Sequence, residues 1–379
     1  MVIGGSTVPT TRQLYLVVGI AILVLLAAGI YHLSTFKTSR VEVLRVYVYD
    51  SFMAWGEDPE LFDNLVSSFE EKSGVEVEVI KFDSARAMIT TLISEVRAGK
   101  ETAHVVIGVD AVTLVELSKH GVIECYLAPG VDERLVESLD PSRCITPIDY
   151  GLIALVYDPS RLDKDTIEML SDGVTLEELV EISEITVGED ATISSTGLNF
   201  LLYTIAASKR EGRAWQDLWR DMVENGFYIA GSWSDAYEEF FKEGSRRAVV
   251  VSYGADPAYS AWYSSSKGGE EKPSIKATVL VVGGEKAGWL QIEGVAIIRG
   301  APLREAREFV NWLVSEEVQK HIPSSQWMFP ANPRVELPSY YRFALGIDDV
   351  EYLLNKEISI SDVSKNLEDW LSSWTKIVS

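Results

Sequence analysis

At 379 residues with 47% hydrophobic side chains, the chain is long enough for one large two-lobed protein or two ordinary domains with real cores, which excludes disorder as the default. Its 57 acidic and 34 basic residues leave a net charge of −23, and this excludes nucleic acid as the expected partner, because polyanion binding runs on Lys and Arg that release counterions. A small neutral or cationic partner suits that balance better.

After a short tail (1–13), residues Leu14 to Tyr31 carry no charge, close to the ~20 residues of a membrane-spanning helix. A retained N-terminal transmembrane helix is expected over 14–33. A cleavable signal is the competing assignment, since Ala27, Ala28 and Gly29 are small. Lys37, Arg40 and Arg45 outnumber Arg12, a bias that by itself favours a cytoplasmic body; long translocated domains override it, and the body is expected outside the membrane. A polar linker (34–41) would hold it close to the bilayer.

The soluble part opens with three β-α units. Val43 to Tyr49 reads as a strand ending at Asp50 and Ser51, with Phe52 and Trp55 on the loop before a helix from about Pro59 to Lys72 that Gly74 stops. Val75 to Phe82 is the second strand, with Asp83-Ser84 as N-cap of the helix Ala85 to Ala98; His104 to Val109 is the third, ending at Asp110. Such units predict a parallel sheet that binds ligands beyond the carboxyl ends of its strands, where Asp50, Ser51, Asp83 and Asp110 would collect. Capping of the following helices accounts for each of these acids taken singly.

Cys125 and Cys144 stand close enough to close a modest loop, as a disulfide in an exported protein or as two unpaired thiols. No ligand set for structural zinc exists beside them. A long apolar strand, Ile148 to Asp158, precedes a region from Pro159 to Lys242 expected to be mainly helical. Within it, Ile193-Ser194-Ser195-Thr196-Gly197 leads into an apolar helix, and hydroxyls with a glycine there suit either an N-cap or an anion on free N–H groups.

Between Tyr228 and Tyr263 the chain sets Trp233, Tyr237, Tyr253, Tyr259, Trp262 and Tyr263 beside turn residues and the acids Asp235 and Asp256. Aromatic faces with a nearby counter-charge suit a flat or cationic ligand. The plain alternative is that Trp233 opens a helix whose Tyr237 and Phe240 are core. Strand Ala277 to Val282, a second long apolar strand from Trp289 to Ile298 and an amphipathic helix Leu303 to His321 follow. The loop Ser324 to Pro330 carries Trp327, and the tail 336–379 is helical, with Trp370 and Trp374 facing a core. Two strands that cross between two α/β blocks predict a hinge and a cleft closing on its ligand. The blocks are expected over 42–148 with 289–335, and over 149–288.

In this order the segments VYVYDSF, VVIGVD, DYGLIALVYD, WSDAY, SYGADPAY, WLQIEGVAI and IPSSQWMFP resemble the thiamine-binding substrate-binding proteins of ABC importers, within the type II periplasmic binding protein group. The resemblance implies a two-lobed α/β fold, no catalysis, no cofactor, and a monomer that passes thiamine or its phosphates to a membrane permease and its ATPase. It also implies an aromatic cleft. Tyr49, Asp50 and Ser51 would line one lobe, with Trp233, Tyr253 and Tyr259 on the other and Trp327 closing over the ligand. Ser194, Ser195 and Gly197 match a serine-threonine-proline-glycine turn that meets a phosphate, with Thr196 in place of the proline. Trp55, Asp83, Asp110 and Asp256 complete the candidate set. A ferric-iron receptor using Tyr253 and Tyr259, or a polyamine receptor, is the alternative. No GxSxG, P-loop, GxGxxG or HExxH pattern supports an enzyme.

Overall fold

The structure is a computed structural model and describes residues 43–379. The expected tail, anchor or signal (14–33) and linker lie outside the described residues. Strands β1 (Leu44–Tyr49), β2 (Val77–Phe82) and β3 (Val105–Val109) alternate with helices Leu61–Ser73, Ala85–Arg97 and Ala111–Lys119. β1 runs parallel to both β2 and β3 and lies between them. Their carboxyl ends therefore share one edge. Gly74 ends the first helix in the left-handed region at φ 71°, and the Ser84 and Asp110 side chains cap the next two.

After the two-residue β4 (Ile123–Glu124) and the helix Glu133–Leu139, the chain enters β5 (Thr146–Tyr157), twelve residues all buried. Cys125 and Cys144, either side of that helix, are joined in a disulfide. The stretch expected to be mainly helical also holds two short strands, β6 (Thr186–Glu189) and β7 (Tyr228–Ala230), parallel to one another. Four and three residues are too few to show a period of two beside strong helical flanks. Only pairing of β6 with β8 (Val249–Tyr253) reveals them. The expected strand 277–282 divides into β9 (Lys276–Thr278), which pairs with β5, and β10 (Leu280–Val282), which folds back on β11 (Glu285–Ile298).

β5 and β11 run antiparallel through the middle of a single sheet of order β2-β1-β3-β11-β5-β8-β6-β7. One end of β11 pairs with β3, through Val295 to Ile297, while the far end of β5 pairs with β8, through Ile153 to Tyr157. These two strands are thus the crossings of a two-lobed α/β fold. Their register shifts at Glu293/Gly294, where a Cβ on Gly294 would come within 2.5 Å of Ile145 Cγ2. A glycine lets the backbones close up at that bulge.

The helix expected over 303–321 is broken into Leu303–Leu313 and Glu316–Gln319, and a further turn, Ile322–Ser325, precedes β12 (Phe329–Pro330), which pairs with β5. β13 (Tyr352–Leu353) joins β11. The last helix, Ile360–Val378, begins with a Ser359/Asp362 capping box and buries Trp374 edge-on against Trp219, ring centroids 5.6 Å apart. It packs on the helix Trp215–Glu224, which precedes β7, and on Ala111–Lys119, which follows β3.

Candidate functional site

The loop after β1 and the loop before β12 are tied into one platform. Met53 N–H donates to Gln326 Oε1 at 2.7 Å, Trp55 N–H to the Ser325 carbonyl at 2.9 Å, and Trp327 Nε1–H to the Trp55 carbonyl at 3.1 Å. Gln326 Nε2 donates to the Tyr49 hydroxyl at 2.7 Å. Met53 and Trp327 both sit in the left-handed region, at φ 55° and 57°. Such strain costs about 1–3 kcal/mol per residue and persists where surroundings enforce it. Here it turns two residues against each other so that Trp55, 58% exposed, and the half-buried Trp327 stand out of the platform.

A second aromatic group faces it from the other side of the crossing strands. The helix Trp233–Phe241 starts at Ser232, whose hydroxyl caps Asp235 N–H. Its first residue, Trp233, lies on Tyr237 with centroids 4.3 Å apart and donates through Nε1–H to Ser252 Oγ at 3.1 Å. Its ring approaches that of Trp55, 6.4 Å away and near edge-on. Trp327 meets Tyr259 edge-on at 4.8 Å and Trp262 at 5.1 Å; both belong to the helix Asp256–Ser266. Four elements distant in sequence thus bring rings together at two places.

Acids lie beneath the rings. Tyr237 O–H donates to Asp256, whose carboxyl is pushed up to about 6 by burial, while hydrogen bonds from Ser252 and Tyr237 pull the other way. Tyr49 O–H donates to Glu293, and Glu293 stands directly opposite Asp149 across β5 and β11. Burial, then the repulsion of Glu293, holds the Asp149 carboxyl well above the usual carboxylate range; neither of its oxygens has a hydrogen-bond partner among the described residues. Two carboxyls so placed cannot both ionise readily. The Tyr253 hydroxyl donates to Gln291 Oε1 at 2.7 Å and accepts from Thr196 Oγ1 at 3.2 Å; burial disfavours its ionisation.

The serine turn is used internally. Ser194 N-caps the helix Ser195–Glu211 through Gly197 N–H at 3.2 Å, and its own O–H donates to Glu189 Oε2 at 2.7 Å. A Cβ on Gly197 would lie 2.7 Å from the Glu189 carbonyl oxygen, so the turn is packed flat on β6. Ser195 is exposed, its carbonyl taking Asn199 Nδ2–H at 2.9 Å.

Tyr49, Trp55, Trp233, Tyr253, Asp256, Tyr259 and Trp327 therefore belong to one connected neighbourhood. Ser51 lies at its edge, and its carbonyl takes Ala54 N–H in the loop turn. Asp50 and Asp83 are exposed at the sheet edge. Asp110 is engaged as a helix cap, accepting from Val112 N–H at 3.1 Å, Thr113 N–H at 2.8 Å and Thr113 Oγ1 at 2.6 Å. It borders a small recess with Asn199, Trp289, Gln291 and Asn355, and Gln291 joins that recess to Tyr253. Sequence reasoning passed over Tyr237 as a hydrogen-bonding group, and Asp149, Glu189, Gln291, Glu293 and Gln326 altogether. The available signal was an acid or amide in an otherwise apolar strand, as in IDYGLIALVYD and WLQIEGVAII, because such groups are buried only with a reason.

A family model described as bacterial extracellular solute-binding protein matches residues 64–342. The "Thiamine-binding periplasmic protein" of Escherichia coli K12 is 28% identical over 344 residues, covering 89% of this chain and 94% of that protein. Its namesake in Brucella suis biovar 1 is 29% identical over 342 residues, 88% and 91% of the two chains. A solved "Periplasmic thiamin binding protein" superposes with a TM-score of 0.66 at 27% identity, covering 89% of this chain and 96% of that one. An iron- and citrate-bound protein of Trichodesmium superposes with a TM-score of 0.67 at 15% identity, a likeness of fold alone.

Proposed function

Because the chain belongs to the family of bacterial extracellular solute-binding proteins, we propose that it is the receptor of an ABC importer that captures thiamine between its two lobes and delivers it to a membrane permease and its ATPase. The observation that carries this is the approach of Trp55 and Trp327, on one platform, to Trp233 and Tyr259 on two helices of the other side. A thiazolium is a permanent flat cation, and ring faces over buried acids suit it. Sub-micromolar capture needs more than about 8 kcal/mol, within reach of a few stacked rings in a preorganised cleft.

The lobes divide at 42–148 with 289–335, and 149–288; the tail 336–379 packs across both. The candidate residues fall in two sets. Tyr49, Asp50, Ser51, Trp55, Trp327 and, at the sheet edge, Asp83 and Asp110 belong to the first side, and Ser194, Ser195, Gly197, Trp233, Tyr253, Asp256 and Tyr259 to the second. The protein acts as a monomer outside the membrane, anchored through the apolar run Leu14 to Tyr31, and performs no catalysis. Iron is disfavoured because Tyr253 is engaged with Gln291 and Thr196 and is driven away from tyrosinate, while Tyr259 is packed on Trp327. Titration calorimetry of the full-length chain with thiamine, spermidine and ferric citrate tests the assignment. Saturable micromolar or tighter binding of thiamine is expected; heat from iron or spermidine alone would move the ligand and leave the fold.

A further inference from the structure

The groups around the serine turn bear on which form of the vitamin is taken, given the thiamine assignment above. We propose that Glu189 makes this receptor selective for the unphosphorylated vitamer, its carboxylate filling from beneath the anion-receptive start of the helix Ser195–Glu211. A helix N-terminus with hydroxyls and a glycine ordinarily welcomes a phosphate. Here both functions of the Ser194 hydroxyl are taken, one by Gly197 N–H and one by Glu189 Oε2. The other oxygen of Glu189 is enclosed without a hydrogen-bond partner among the described residues, so only Ser194 and Gly197 offset its charge.

The remaining groups reinforce the repulsion. Asp256, from the helix Asp256–Ser266, raises the Glu189 carboxyl after burial has done so, to about 7, and the phenols of Tyr237 and Tyr253 bear on the same cluster without charge. Arg86 reaches the turn from the first lobe, but its exposed guanidinium meets the Thr192 carbonyl at 3.4 Å, away from Glu189. A phosphate tail carrying ≈ −1.5 to −2 would enter against a buried carboxylate at short range, where screening is weak.

The test is calorimetry of the full-length chain with thiamine and thiamine monophosphate, for wild type and Glu189→Gln, at pH 6 and 8.5. Wild type should bind the monophosphate at least tenfold more weakly at pH 8.5. In the variant that gap should shrink below threefold. Between pH 6 and 8.5 the wild-type gap should widen more than the variant's, a comparison that cancels the titration of the phosphate itself. Equal or tighter binding of the monophosphate by wild type overturns the inference, and its loss on Arg86→Ala would make Arg86 the phosphate clamp instead. A gap that persists in a folded Glu189→Gln protein also overturns it. The wild-type ratio decides even if the variant is unstable. Binding of no thiamine form would instead sink the receptor assignment, and selectivity with it.

Discussion

Raising the pH from 5.5 to 8.5 should destabilise the ligand-free protein, and Glu189 permits a worked magnitude. Its carboxyl ordinarily titrates at 4.5 and is held at about 7, first by burial, with Ser194 and Gly197 opposing. Below 4.5 folded and unfolded chains are both protonated and the group makes no difference. Between 4.5 and about 7 the unfolded chain releases the proton while the folded one keeps it, so stability falls as pH rises through that window. At 1.36 kcal/mol per pH unit the whole window is worth on the order of 3 kcal/mol and the part above pH 5.5 about 2 kcal/mol, roughly 3 °C in melting temperature for a chain of this size. Asp256, raised from 3.8 to about 6 by burial, adds in the same direction. Asp163 and Asp362, lowered by the backbone N–H groups of Thr166 and Ser359, act with the opposite sign at more acidic pH. Circular dichroism melts of wild type and Glu189→Gln should therefore diverge with pH, with similar melting points near pH 5 and the variant several degrees higher at pH 8.5. A wild-type melting point that is flat or rises with pH, or a variant with the same slope, refutes the reasoning.

Trp233→Ala and Trp327→Ala should each weaken thiamine binding at least tenfold without loss of the folded circular dichroism spectrum; unchanged affinity in both removes the stacking site. Gly151→Ala places a methyl 2.6 Å from a Tyr253 ring carbon and 2.8 Å from Met328 Sδ, and overpacking of this kind costs about 1–3 kcal/mol. Urea denaturation should report that loss, with a matching drop in affinity as Tyr253 is displaced. Cys144→Ser opens a loop with a sequence separation of 19 and should cost about 3 kcal/mol in the same assay, a loss that reductant reproduces in wild type and not in the variant.

What the amino-acid order determined by itself was local. Alternation and β-branching set β1 to β3, unbroken apolar runs set the cores of β5 and β11, and Gly74, Ser84 and Asp110 marked helix ends, because each signal is carried within a few residues. The aromatic residues of the candidate site were legible for a similar reason, since rings beside glycine and proline turns stand out in any window. Tertiary structure alone decided which of them meet: Trp55 with Trp233, Trp327 with Tyr259, brought together by loops 273 positions apart whose hydrogen bonds force Met53 and Trp327 to positive φ. It also decided that the Ser194 hydroxyl answers to Glu189. β6 and β7 became strands only through β8, and Asp149 and Glu293 became a pair only through the register of β5 on β11. Burial and opposition across a sheet are properties of the packed molecule, and they are what change the chemistry of a carboxyl group.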